Sequence, residues 1–208
     1  MKILLFLTLV LFSSVIHSQP FEGKVVYQNS VKSKVSYISD NQLAAMFGDT
    51  LEYYIRQGDY KSFSNNTSLK WQLYINQDNK LYNKLDGSET VFWYDGATSL
   101  DSVYKIELNL NVTEIMGYIC NELVLICKSG VQKYYFNSAF TIDPTVYSNH
   151  KFGNWYDYVS RAKSVVLKSV IDNSQYTIES VAVEIKPMKI DANFFELPVG
   201  TKTKKSPI

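Results

Sequence analysis

Between Lys105 and Val112 apolar and polar residues alternate without a break. Ile106, Leu108, Leu110 and Val112 fall on one side; Lys105, Glu107, Asn109 and Asn111 fall on the other. Only a period of two separates these sets, so the segment is extended, with its apolar side predicted to meet a core and its polar side water. Shorter copies of the pattern recur along the chain, each closed by a turn signal. Phe21, Gly23, Val25 and Tyr27 alternate with Glu22, Lys24 and Gln28. Asn29-Ser30 reads as a turn, with Val31 to Ile38 returning. Leu51, Tyr53 and Ile55 alternate with Glu52, Tyr54 and Arg56; Gln57-Gly58-Asp59 turns the chain and Tyr60 to Phe63 returns. Trp71, Leu73 and Ile75 share a face. Gln77-Asp78-Asn79, Asp86-Gly87-Ser88 and Asp95-Gly96 are further turns around Lys80–Leu85 and Val91–Tyr94.

The continuously apolar run Leu123–Ile126 has no alternation at all. It predicts a strand buried on both faces, turning at Lys128-Ser129-Gly130 into a partner through Tyr134-Tyr135-Phe136. Val165–Ile171 and Tyr176–Lys186 form a last hairpin about Asp172-Asn173-Ser174. In its second strand the apolar parity changes from even (Tyr176, Ile178) to odd (Val181, Val183, Ile185), which predicts a bulge near Glu179-Ser180. Pro187 ends the pairing, and Phe194-Phe195-Glu196-Leu197-Pro198 is an apolar clip.

Helical signals are few. Ser39-Asp40 reads as an N-cap, Asn41–Phe47 as two turns of helix and Gly48 as the residue past its end. Leu43, Met46 and Phe47 share one face. Asn137–Arg161 reads as a long excursion with one or two helical turns, holding Phe152, Trp155, Tyr156 and Tyr158. About a dozen short strands with at most three short helices define a mainly β fold of the α+β kind. So many antiparallel strands in one sheet curl, giving a curved sheet or open half-barrel with the helices plugging its concave face.

Residues 1–18 have the form of an export signal. Lys2 precedes an apolar core from Ile3 to Ile16, and Ser18 stands before the expected cut at Gln19. No cysteine stands at that cut, so no lipid anchor is expected. The remainder divides into one domain, 19–200, and a basic tail, 201–208, expected to be disordered. Beyond the leader the basic and acidic residues balance, so no long-range field favours nucleic acid or an anionic membrane. Cys120 and Cys127 lie ~23 Å apart on a continuous strand, on opposite faces, and read as free buried thiols. His150, between Asn149 and Lys151, reads as a solvated loop residue. With it as the sole histidine of the exported chain, no metal site, cofactor motif or nucleophile–base pairing is legible.

The segment Ile115-Met116-Gly117-Tyr118-Ile119-Cys120 enters a long strand that is followed by a tyrosine-rich one. Together with Phe21-Glu22-Gly23-Lys24-Val25-Val26-Tyr27 and Phe194-Phe195-Glu196-Leu197-Pro198, it resembles secreted bacterial families of unknown function related to the GLPGLI family. Residues 143–160 lack the motif that names that family, so the better match is a relative outside it. These families are similar to the LolA-like lipoprotein-carrier superfamily. The resemblance implies a half-barrel with helices over an apolar cavity, and a periplasmic or outer-envelope carrier of lipid or another apolar ligand. Phe152, Trp155, Tyr156, Tyr158, Leu43, Met46 and Phe47 are the ligand-binding candidates. The alternative is a non-enzymatic structural or protein-interaction module of the envelope. A hydrolase around His150 is a weaker third reading.

Overall fold

The structure is a computed structural model, and it describes residues 19–207. The predicted leader, 1–18, lies outside the described residues. In chain order the elements are β1 (Gly23–Ser33), α1 (Asp40–Phe47), β2 (Thr50–Arg56), β3 (Asp59–Ser64), β4 (Leu69–Ile75), β5 (Lys80–Leu85) and β6 (Val91–Asp95). Then come β7 (Val103–Ile115), β8 (Tyr118–Cys127), β9 (Gly130–Thr141), α2 (Trp155–Ala162), β10 (Ser164–Asn173), β11 (Tyr176–Pro187) and β12 (Thr203–Lys205). All twelve strands form one open sheet in the order β12-β6-β5-β4-β3-β2-β1-β11-β10-β9-β8-β7. Two sequential meanders, β1–β6 and β7–β11, join where β1 pairs with both β2 and β11. Every pairing is antiparallel except the parallel contact of β12 with β6.

The larger core lies on one face. Val25, Tyr27, Ile55, Tyr60 and Tyr74 from the first meander meet Leu123, Leu125, Phe136 and Leu167 from the second beneath α2. A smaller core on the opposite face joins Leu73, Tyr82 and Val91 to Phe195, which sits on a 3-10 turn at Ala192–Phe195. Trp71, Leu73 and Ile75 thus share a face as their alternation predicts. Their cover is the predicted C-terminal clip.

Local chemistry sets α1 and the two-residue turn from β7 to β8. Ser39 and Gln42 cap each other: the Gln42 amide donates to Ser39 Oγ at 3.3 Å, and the Ser39 amide donates to Gln42 Oε1 at 2.8 Å. Between β7 and β8 the chain turns on Met116 and Gly117, at φ 52° and 82°. That left-handed geometry suits glycine and strains the exposed methionine.

Several expectations are corrected. There is no turn at Asn29-Ser30: β1 runs on to Ser33, because β11 supplies partners along its whole length. The bulge in β11 lies farther along than predicted. Val26 pairs with Glu184 and Tyr27 with Ala182, so Val183 is the extra residue. Cys120 and Cys127 are both free and buried, but they sit in the same core, so the strict alternation of β8 is broken between them. The tail expected to be disordered forms β12, because backbone bonds from Val91 to Lys202 and from Ser206 to Trp93 fix it on the edge of β6. The apolar side of β7 does not face the core beyond Ile106. β7 is the terminal strand of the sheet, and Leu108 and Leu110 remain 53% and 66% exposed.

Candidate functional site

Ser169 on β10 lies directly opposite Ser180 on β11. Two small side chains side by side in a sheet otherwise packed with tyrosine leave a gap on the concave face. Tyr27, Tyr53, Tyr134 and Trp155 stand around that gap, and Leu51, Ile55, Val165 and Val166 complete a hollow of about 170 Å³, half open to solvent. That is room for a benzene-sized group or a short run of methylenes. Among the described residues no charged side chain lines it.

The hollow lies between two helix-covered stretches of the sheet. Toward one end of β1, α1 packs near Asn29, Val31 and Ile178. Asn29 itself pairs with Ser180, which together with Tyr27 already belongs to the hollow, and α2 follows with Trp155. Polar atoms here are left without partners. Tyr53 Oη and Trp155 Nε1 are buried and make no hydrogen bond, and neither does Asn29 Oδ1, although its amide nitrogen donates to the Gly48 carbonyl at 3.0 Å. Neighbouring hydroxyls are satisfied: Tyr27 donates to the Val166 carbonyl at 2.7 Å and Tyr158 to the Ser164 carbonyl at 2.8 Å. Buried groups without partners are rare and costly in native proteins. Burial raises the Tyr53 phenol well above its ordinary value, so it stays protonated.

Behind Trp155 the aromatic cluster closes around His150, which is fully buried. Its Nε2 shares a 2.8 Å hydrogen bond with Tyr60 Oη, and Nδ1 has no well-formed partner. Burial pushes its pKa down to about 4, against a weak opposing pull from the Gly96 carbonyl. The expectation of a solvated His150 is therefore corrected. Its polar neighbours point to a loop, and the loop folds inward because Tyr60, Tyr74 and Trp155 provide aromatic faces for the imidazole. A neutral, stacked imidazole bonded to a tyrosine is a packing unit. Among the described residues no group of three or more His, Cys, Asp or Glu is placed to hold a metal ion.

The seven ligand candidates do not converge. Trp155 lines the hollow. Tyr158 is fully buried beneath it, and Tyr156 packs against the same core. Phe152 turns away to Tyr94, with ring centroids 5.2 Å apart. On α1, Leu43 is buried, Met46 is exposed, and Phe47 packs on Tyr176 at 5.0 Å. Tyr53, Ser169 and Ser180 carry no signal of this hollow in the sequence, because only strand register brings them together.

A second, larger cleft of about 590 Å³ lies beside the hollow and shares Ile55 with it. Phe21, Phe140 and Tyr147 line its apolar part; Glu22, Asp143 and Lys189 bring charge to it.

No family model and no curated protein matches the chain. Among solved structures it is similar to PNGF-II, at 13% identity and a TM-score of 0.48 over 89% of this chain. It spans 31% of PNGF-II. It is also similar to an uncharacterized conserved protein from Thermus thermophilus, at 9% identity and a TM-score of 0.46, covering 87% of this chain and 90% of that one. A third likeness is to the lipoprotein LppX of Mycobacterium tuberculosis, at 9% identity and a TM-score of 0.34, covering 82% and 90%. At these scores none of them carries a functional argument. No helix among the described residues is long and apolar enough to cross a membrane. The class is set by the molecule's own geometry: a one-sheet β protein whose concave face is part plugged by helices and part hollow.

Proposed function

We propose that this is an exported, non-enzymatic binding protein of the bacterial envelope, and that it seats a small apolar ligand in the hollow beneath Trp155. The observation that carries this reading is the pairing of an uncharged apolar hollow with the unpartnered Tyr53 Oη and Trp155 Nε1 on residues of its wall. The ligand is neutral, because no cation offsets the cost of burying an anion there. It carries a hydrogen-bond acceptor, such as an ester, ketone or alcohol oxygen, because the indole N–H can only donate. The volume seats one short chain or ring, not a whole lipid. The motif resemblance to families similar to the LolA-like carriers agrees with an apolar cargo, and the hollow's place between the stretches covered by α1 and α2 agrees with a site left open to solvent.

The test is native mass spectrometry of protein purified without detergent from its own envelope. A bound neutral mass that disappears on organic extraction supports the reading. A clean protein mass before extraction counts against it.

A second reading, an envelope interaction module, is favoured by one observation: the long, exposed apolar edge at β7.

A further inference from the structure

The two edges of the sheet differ. On one side β6 is covered by the short β12, with Lys204 and Lys205 exposed along it. Short strands and lysines are the usual means of keeping an edge from pairing. On the other side β7 is 13 residues long, contains no proline and, among the described residues, has β8 as its one partner strand. Its free backbone edge runs beside exposed Tyr104, Leu108 and Leu110.

We propose that β7 is the surface at which two copies of this protein join, as an antiparallel β7–β7 pair about a two-fold axis at Ile106. The sequence Tyr104-Lys105-Ile106-Glu107-Leu108 is self-complementary under that operation. Ile106 meets its own counterpart. Lys105 of each copy faces Glu107 of the other. Within one chain Lys105 Nζ and Glu107 Oε1 already lie 2.6 Å apart on the surface. Two copies therefore bring four alternating charges together. Moving the axis to Glu107 sets like charges opposite each other, which disfavours that register. Register irregularities at Tyr104 and between Asn109 and Thr113 limit the regular ladder here to Lys105–Asn109 and confine pairing to this segment. A strand from an unrelated protein would satisfy the backbone but has no reason to repeat the inverted charge order. An isologous interface requires it.

Sedimentation velocity over a range of protein concentrations tests this. The expected result is a monomer–dimer equilibrium for the wild-type chain. K105E and E107K each place two like-charged pairs across the axis, and each weakens the dimer by at least about tenfold. The double variant K105E/E107K recovers it, and an equimolar mixture of the two single variants forms a mixed dimer. Unchanged far-UV circular dichroism shows that these surface changes leave the fold intact. A wild-type chain that stays monomeric throughout overturns the proposal, and so does a dimer that neither reversal weakens.

Discussion

The imidazole of His150 lies flat on the ring of Tyr74, with centroids 3.9 Å apart and planes within 8° of parallel. The stack holds the 3-10 turn at Phe152–Asn154 and the start of α2 against the sheet, and so places Trp155 over the hollow. Its stability depends on the ring staying neutral. In the unfolded chain His150 takes up a proton below pH 6.5; in the folded chain it resists down to about 4. The unfolded state therefore binds more protons between these values. Stability from this group is complete above pH 6.5, falls as the pH drops toward 4, and is flat below that. The full difference is about 3 kcal/mol. Urea unfolding at pH 7, 5.5 and 4 measures it, and His150→Phe should flatten the part of the slope that belongs to this residue.

Tyr53 and Tyr60 should respond oppositely to loss of their hydroxyls. Tyr53→Phe removes a buried oxygen that has no partner, so the ligand-free protein should unfold at the same or higher denaturant, by up to about 1 kcal/mol. Tyr60→Phe breaks a 2.8 Å bond and strands His150 Nε2, costing about 1–3 kcal/mol. Equal losses in the two variants would mean that Tyr53 Oη is satisfied in solution.

Leu125, in the middle of the apolar run, is fully buried in the larger core. Leu125→Ala should cost about 2–5 kcal/mol by chemical denaturation. Leu110→Ala, on the exposed part of β7, should stay within about 0.5 kcal/mol.

Removing residues 201–208 should open the β6 edge. β12 protects it through the Val91–Lys202 and Ser206–Trp93 backbone bonds, and Lys205 lies over the Trp93 ring at 5.6 Å. The shortened chain should show faster amide exchange at Val91 and a greater tendency to aggregate.

Alternation is enough to read most of the strands, and the cap at Ser39-Asp40 and Gly48 mark α1; the part Gln42 plays in that cap shows only in the structure. The rest depends on facts that no single strand carries. Val31–Ile38 looked like a returning strand because its parity fits either continuation or return; the length of β11 decides. The apolar side of β7 looked like core because edge position is not written in a strand's own sequence. The hollow needs Ser169 and Ser180 in register, and serine pairs in strands are ordinary until their neighbours are known to be large. His150 was hidden by its polar flanks, and only the fold shows the aromatic faces that bury it.

The most direct test of the binding site is the indole N–H signal of Trp155 in a ¹H–¹⁵N spectrum, assigned by its loss in Trp155→Phe. The probes are 1-octanol, which is neutral and carries an acceptor, and octanoate, which has the same chain with a charge. A site that takes neutral apolar ligands predicts a saturable shift of the Trp155 signal with octanol, little with octanoate, and none in Ser180→Leu, which fills the floor of the hollow. A Trp155 signal indifferent to octanol, or moved equally in Ser180→Leu, would contradict it.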